Sequence, residues 1–255
     1  MRTYSADALI LRTYRYGEAD RIVVFLTEDR GKRRGVAKNA TNSRRRFGAG
    51  LEPLTRGRVA YVERETRELV RLDRVEPRTT PLGAVTGRRE DDAAHVLGHA
   101  AYFAELLDEW APDAAPNERL FRLGAAVVDA LGQGGSVDAL ARYFEYWLLR
   151  LEGVYPAIDA CPRCGRPAFE SGAWFLAAER AYVCGDCAGG GTRIPAGALA
   201  FLRRAGRWSP IEAAAADEDV RALRVLEQVH ARLIAMHLEK ELRSARIVKE
   251  LRPPS

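Results

Sequence analysis

Five strand-like segments in the first 76 residues, a change to helical periodicity after Pro77 and Pro81, and two Cys-x2-Cys pairs predict an α+β chain. The expected architecture is an N-terminal five-stranded OB-fold barrel, then an all-helical domain with an inserted four-cysteine zinc-knuckle hairpin. The expected domains are residues 1–80 and 81–255, with the zinc-binding insertion at about 157–192.

The strand segments are apolar and rich in β-branched residues. Ala8-Leu9-Ile10-Leu11 is one and Ile22-Val23-Val24-Phe25-Leu26 the next. Glu28-Asp29-Arg30-Gly31 signals a turn, from which Lys32 to Lys38 can return as a hairpin strand. Residues 39–50 hold Asn39, Asn42, Ser43, Gly48 and Gly50 and read as a loop. Arg58–Val62 and Leu69–Leu72 complete the five. A small SH3-like barrel is the competing structure for this segment.

Beyond Pro81, Val96, Ala100, Phe103, Leu107 and Trp110 recur at helical spacing. Asn117 can cap a helix to about Leu131, Ser136 one to about Glu152, and Pro195 can open a short one to about Ala205. One long helix is expected from near Asp217 to just before Pro253, with Leu223, Leu226, Val229 and Leu233 on one face.

Charge is unevenly distributed. Residues 1–80 carry 19 Lys and Arg against 11 Asp and Glu, a net of +8, while residues 81–255 are net −3. The first part therefore suits a polyanionic partner and the second does not. Eight cations lie between residues 30 and 46 with no acid among them: Arg30, Lys32, Arg33, Arg34, Lys38, Arg44, Arg45 and Arg46. Tyr14, Tyr16, Phe25, Phe47 and Tyr61 share the segment, with Phe25 assigned to the core. Cations that track phosphates, beside aromatics on which bases stack, are what single-stranded nucleic acid requires. These eight residues are the candidate nucleic-acid-binding set. A solvated charged loop is the alternative.

The four cysteines are Cys161, Cys164, Cys184 and Cys187, with 19 residues between the pairs. That spacing fits a tetrahedral zinc site with four thiolate ligands. Trp174-Phe175-Leu176 and Ala181-Tyr182-Val183 can pair as a hairpin between the knuckles. Four thiolates close the coordination sphere, so one structural zinc per chain is expected.

His95, His99, His230 and His237 read as core or surface histidines rather than ligands. No nucleophile elbow, phosphate loop or other catalytic constellation is present, so no catalytic residue and no enzyme activity are expected. The N-terminus lacks an apolar signal region and no apolar run is long enough for a membrane helix. The expected setting is cytoplasmic, without membrane contact.

The order of motifs resembles the RecO family of recombination mediators. The residues that carry this are Ala8-Leu9-Ile10-Leu11, Tyr16-Gly17-Glu18-Ala19-Asp20, Leu26-Thr27, Gly31 and Leu51-Glu52-Pro53-Leu54. Leu149-Arg150-Leu151-Glu152-Gly153 then leads into Cys161-Pro162-Arg163-Cys164-Gly165. The resemblance implies a DNA repair protein that binds single- and double-stranded DNA and anneals complementary strands. It also implies action with the partner RecR to load recombinase onto strands coated by single-stranded-DNA-binding protein, on the nucleoid during repair. A zinc-ribbon RNA-binding or translation-associated protein is the alternative. A sirtuin-type deacylase shares the cysteine spacing, but Leu51-Glu52 follows Gly48-Ala49-Gly50 where its nucleotide loop needs a serine, and no His-Gly pair exists.

Overall fold

The structure is a computed structural model that describes residues 1–252 except Glu65, Arg67, Ala168 and Glu170. Among the described residues, strands β1 (Arg2–Tyr16), β2 (Asp20–Thr27), β3 (Gly31–Ala37), β4 (Arg56–Glu63) and β5 (Val70–Thr79) close a barrel in the order β1-β2-β3-β5-β4. Strand β1 is long enough to serve both sheet edges, pairing with β4 through Arg2–Leu9 and with β2 through Ala8–Tyr16. A short parallel pairing of β3 residues 35–37 with β5 residues 70–72 completes the ring. This is the expected OB-type barrel.

The barrel interior is filled by Ala8, Ile10, Val23, Phe25, Val59, Tyr61, Val70 and Leu72, with Phe47 entering from the β3–β4 connection. Cross-strand register slips between Ile10 and Arg12, leaving Leu11 as an extra residue. Such a bulge reverses which residues of a strand face inward. Ala8 and Ile10 thus face the core, whereas Arg12, Tyr14 and Tyr16 face outward.

The helices are α1 (Pro81–Val85), α2 (Glu90–Trp110), α3 (Glu118–Gln133), α4 (Val137–Leu151), α5 (Ala196–Ala205), α6 (Pro210–Ala215), α7 (Val220–Leu238) and α8 (Arg243–Glu250). Strands β6 (Ala173–Leu176), β7 (Ala181–Val183) and β8 (Thr192–Ile194) form a small sheet in the order β7-β6-β8. Asn117 Oδ1 accepts from Leu120 N and Ser136 Oγ accepts from Ala139 N, so both expected caps are present.

The expected single C-terminal helix is a correction. It breaks at Glu239, whose φ is +55°, and resumes as α8; Pro253 lies outside the described residues. The cause is tertiary. Glu105 of α2 accepts from Ser244 N at 2.8 Å and from Ser244 Oγ, and a Cβ at Gly98 would lie 3.0 Å from Leu251. Close packing on α2 turns the chain where no Gly or Pro does.

By packing, the chain divides into residues 1–133 with 242–255, and residues 134–241. The last barrel strand ends at Thr79, and α1–α3 and α8 form one compact unit with the barrel. Leu9 shows the basis: it is fully buried, and a Cβ at Gly124 of α3 would meet both Leu9 and Leu107.

Candidate nucleic-acid interface and metal centre

Register places three rows of side chains on the outer face of the barrel. The rows are Arg12–Val24–Arg34, Tyr14–Ile22–Val36 and Tyr16–Asp20 with the adjoining Lys38. The parallel pairing adds Arg71 beside Val36. A cleft of about 600 Å³ follows this face, lined by Tyr16, Val36, Lys38, Arg64, Leu69 and Arg71. A second, of about 490 Å³, shares Leu69 and includes Tyr14, Ile22 and Arg34. Tyr14 and Tyr16 are 47% and 51% exposed, unusual for aromatics on a strand. In OB barrels the strand 2–3 face and the β1–β2 and β4–β5 loops are where oligonucleotides sit.

The eight cations of the basic run have different environments. Arg34, Lys38, Arg44 and Arg45 are exposed. Arg30 is stacked on the Tyr4 ring at 3.9 Å. Arg33 is mostly buried in the inward-facing row with Phe25, near Glu63. Arg46 donates to Lys38 O at 2.6 Å and Ser43 Oγ at 2.8 Å, clamping the connection to the end of β3.

Lys32, also in the expected set, lies in the most enclosed environment of the eight. Its side chain is 9% exposed, its Nζ donates to Asp108 O at 2.7 Å, and Asp108 and Asp113 carboxylates lie at 3.4 Å. A buried ammonium with two carboxylate partners would forfeit both to reach a phosphate.

The 39–55 connection is held by its own backbone. Thr41 N donates to Ala19 O, Val75 N to Arg46 O, and Leu54 N to Ile10 O. Phe47 is 1% exposed and anchors it in the barrel. Arg44 and Arg45 therefore project from a fixed frame beside the β1–β2 turn. Sequence reasoning missed Arg64 and Arg71 as groove residues. Their signal is the alternation around Val62 and Val70, which becomes readable only once the barrel register is known.

In the second unit, all four cysteine Sγ atoms lie within 4.8 Å of one another, and Cys164 and Cys184 are 3.7 Å apart. A tetrahedral zinc with Zn–S bonds of ~2.3 Å has S···S edges of ~3.8 Å. The residues present fit the ion. Each knuckle is tied internally, Gly165 N donating to Cys161 O with Gly165 at φ +70°, and Cys187 N donating to Cys184 O. Burial opposes ionisation of Cys161, yet backbone N–H donors of Cys184, Cys164 and Arg163 outweigh it and hold the thiol at about 6. Hydrogen bonding to Cys184 and Cys164 pushes Cys187 up to about 12. Cys161 thus ionises well before Cys187, and a dication bound by the cluster would displace the thiol protons.

Two arginines cross-brace the knuckles. Arg163 donates to Cys187 O and pairs with Glu179, and Arg166 pairs with Asp186. Their charge lies beside a site that four thiolates and one dication would leave at −2. The two segments between the knuckles pair as the expected hairpin, with Phe175 opposite Tyr182.

Behind it is a buried polar chain. Arg142 pairs with Glu145 at 2.7 Å and faces Glu227 at 3.5 Å; Glu145 also meets His230 Nδ1 at 2.9 Å. His230 Nε2 is 2.8 Å from Tyr155 OH, which is 3.1 Å from Tyr182 OH. Burial lowers the His230 pKa despite Glu145, keeping the ring neutral, and burial raises Tyr155. His95 and His99 are core residues, as expected, their rings edge to face at 4.5 Å.

Family models for the N-terminal and C-terminal parts of recombination protein O match residues 1–81 and 93–246. The chain is 37% identical over 248 residues to the DNA repair protein RecO of Anaeromyxobacter sp. (strain K), covering 96% of this chain and 95% of that one. It is 32% identical over 256 residues to that of Geobacter metallireducens, covering 99% and 100%. A 160-residue match to that of Koribacter versatilis reaches 43% identity and covers 63% of each chain. With nearly the whole chain matched by both family models and by full-length relatives, this protein belongs to the RecO family of DNA repair proteins.

Proposed function

We propose that this chain is a recombination mediator. It binds single- and double-stranded DNA, anneals complementary strands and, with RecR, helps load recombinase onto strands coated by single-stranded-DNA-binding protein. The carrying observation is the outer barrel groove, whose clefts exposed Tyr14 and Tyr16 line together with Arg34, Lys38 and Arg71.

The residues perform distinct tasks. Lys38, Arg44, Arg45, Arg64 and Arg71 neutralise phosphates and fix the strand without reading its sequence. Tyr14 and Tyr16 offer faces on which any base can stack. Annealing needs two polyanions brought together, and the fixed cations screen their repulsion. The cysteine cluster holds one structural zinc, which cross-links the two knuckles and takes no chemical part. The chain has no catalytic role of its own. It works in the cytoplasm, on the nucleoid.

The test uses the full-length protein with labelled single-stranded DNA, its duplex and the matching RNA. Both DNA forms should bind with a steep salt dependence. Complementary strands should anneal faster with protein, and on strands coated by single-stranded-DNA-binding protein the recombinase should load faster when RecR is added. Clear preference for RNA, or annealing no faster than without protein, would overturn the reading.

A further inference from the structure

The outer groove is electrostatically asymmetric, and a strap of the chain itself makes it so. After α2, residues 113–115 run against the start of β3. Ala114 N donates to Lys32 O at 3.0 Å, and Lys32 and Asp113 form a parallel bridge. The approach is tight: a Cβ at Gly31, whose φ is +68°, would lie 1.9 Å from Ala115 O. The backbone therefore fixes where Asp113 sits. One carboxylate oxygen is 3.4 Å from Lys32 Nζ and the other 3.7 Å from Arg34 Nη2.

The other cations at this end are also matched. Arg12 pairs with Asp108 at 2.5 Å and Glu109 at 2.9 Å, and Lys32 with Asp108 at 3.4 Å. At the opposite end, among the described residues, no carboxylate pairs with the exposed Lys38, Arg44, Arg45 or Arg64. Asp20 and Glu68 line that end too, and Arg71 there pairs with Asp73 at 3.1 Å, but Asp20 is engaged by Asn39 N at 2.7 Å and the other four cations outnumber these acids.

Resting on the DNA-binding reading above, we propose that Asp113 is a built-in competitor for phosphate at Arg34, giving the groove a closed acidic end and an open basic one. Arg34 and Asp113 are 57% and 66% exposed, so their pair is weak and exchangeable. Lys32 and Arg12 are held more firmly and stay with their carboxylates. Asp113 thus withholds Arg34 from the phosphate of a bound strand, which loses one contact at that end. Asp113 is a positioning residue, since it acts on the strand through Arg34.

The experiment titrates a fluorescein-labelled oligothymidylate with wild type, Asp113→Asn, Arg34→Gln and the double variant, from about 50 to 300 mM salt. Asp113→Asn should bind roughly threefold more tightly at low salt, the scale of one exposed pair. Its log K against log salt slope should steepen by ~0.7, one further phosphate on a single strand. With Arg34→Gln present, Asp113→Asn should change neither. Asp113→Ser is a second variant, and thermal melting checks that each is folded. An unchanged affinity, or tightening that persists without Arg34, would overturn the proposal while the DNA-binding reading stands. A wild-type chain that fails to bind the oligonucleotide would overturn both.

Discussion

In the barrel-bearing unit Arg34, Lys38, Arg44 and Arg45 stand in solvent, while in the other unit Arg142, Glu145 and His230 are at most 3% exposed and bonded to one another. The first arrangement leaves charge available to a partner. The second consumes it inside the protein, where each ion has already lost its water. Opposite consequences follow for mutation: charge removed from the barrel surface should cost affinity and little stability, and charge removed from the buried chain should cost stability and little affinity.

The sharpest way to break this contrast is to remove the metal. Structural zinc contributes ~10–16 kcal/mol in small zinc-dependent modules. Chelation, or Cys184→Ala, should release about one equivalent of zinc and unfold the hairpin around Trp174, read as loss of amide protection over residues 161–194. DNA affinity should change far less. Full zinc occupancy without Cys184 would exclude the four-thiolate site.

Next in size is Glu145→Ala. It strips Arg142 and His230 of a shared buried partner, and breaking such a pair costs about 3–5 kcal/mol. The expected outcome is a large fall in melting temperature for residues 134–241 with DNA binding per folded molecule unchanged. If melting is unaltered, the chain from Arg142 to Tyr182 is not sustaining that core.

The same contrast explains what the sequence could reveal. Apolar, β-branched runs such as Ile22–Leu26 and the knuckle spacing are local, and both survive into the structure as β2 and the cysteine cluster. The eight-cation run was legible as a run but not residue by residue. Whether Lys32 or Lys38 is free depends on α2, some seventy residues later, which supplies Asp108 to one and nothing to the other. The bulge at Leu11 that turns Tyr14 and Tyr16 outward has no Gly or Pro to announce it, and neither does the break at Glu239. His230 reads as a core residue from its helical stripe, correctly, but its link to Glu145 joins residues 85 apart.

A third prediction sharpens the surface side. Reversing Arg44 and Arg45 to Glu should weaken single-stranded DNA binding across sequences alike and flatten the salt slope by ~1.4, two phosphates' worth. Adding Arg46→Glu should also lower stability, because Arg46 clamps Lys38 O and Ser43 Oγ. Unchanged slope in the double reversal would move the strand off the 39–50 connection.

The smallest effect concerns pH and tests the buried side. His230 is fully buried, and desolvation lowers its pKa below the ordinary ~6.5, although Glu145 pulls the other way. A histidine with a depressed folded pKa binds its proton more readily when unfolded. Above ~6.5 both states are neutral and this group adds no pH dependence. As pH falls through ~6.5 the unfolded chain takes up a proton that the folded unit refuses, so stability declines until the lowered folded pKa is reached. The melting temperature of the 134–241 unit should therefore drop as pH falls below ~6.5, with zinc kept saturating because thiolate protonation also weakens metal binding. His230→Gln keeps a group able to bond Tyr155 or Glu145 but cannot titrate, so it should lower stability at pH 7 and flatten the acid limb. An acid limb of equal steepness in His230→Gln would assign the decline to the cysteines or carboxylates instead, and the buried chain would then be a fixed brace with no pH response of its own.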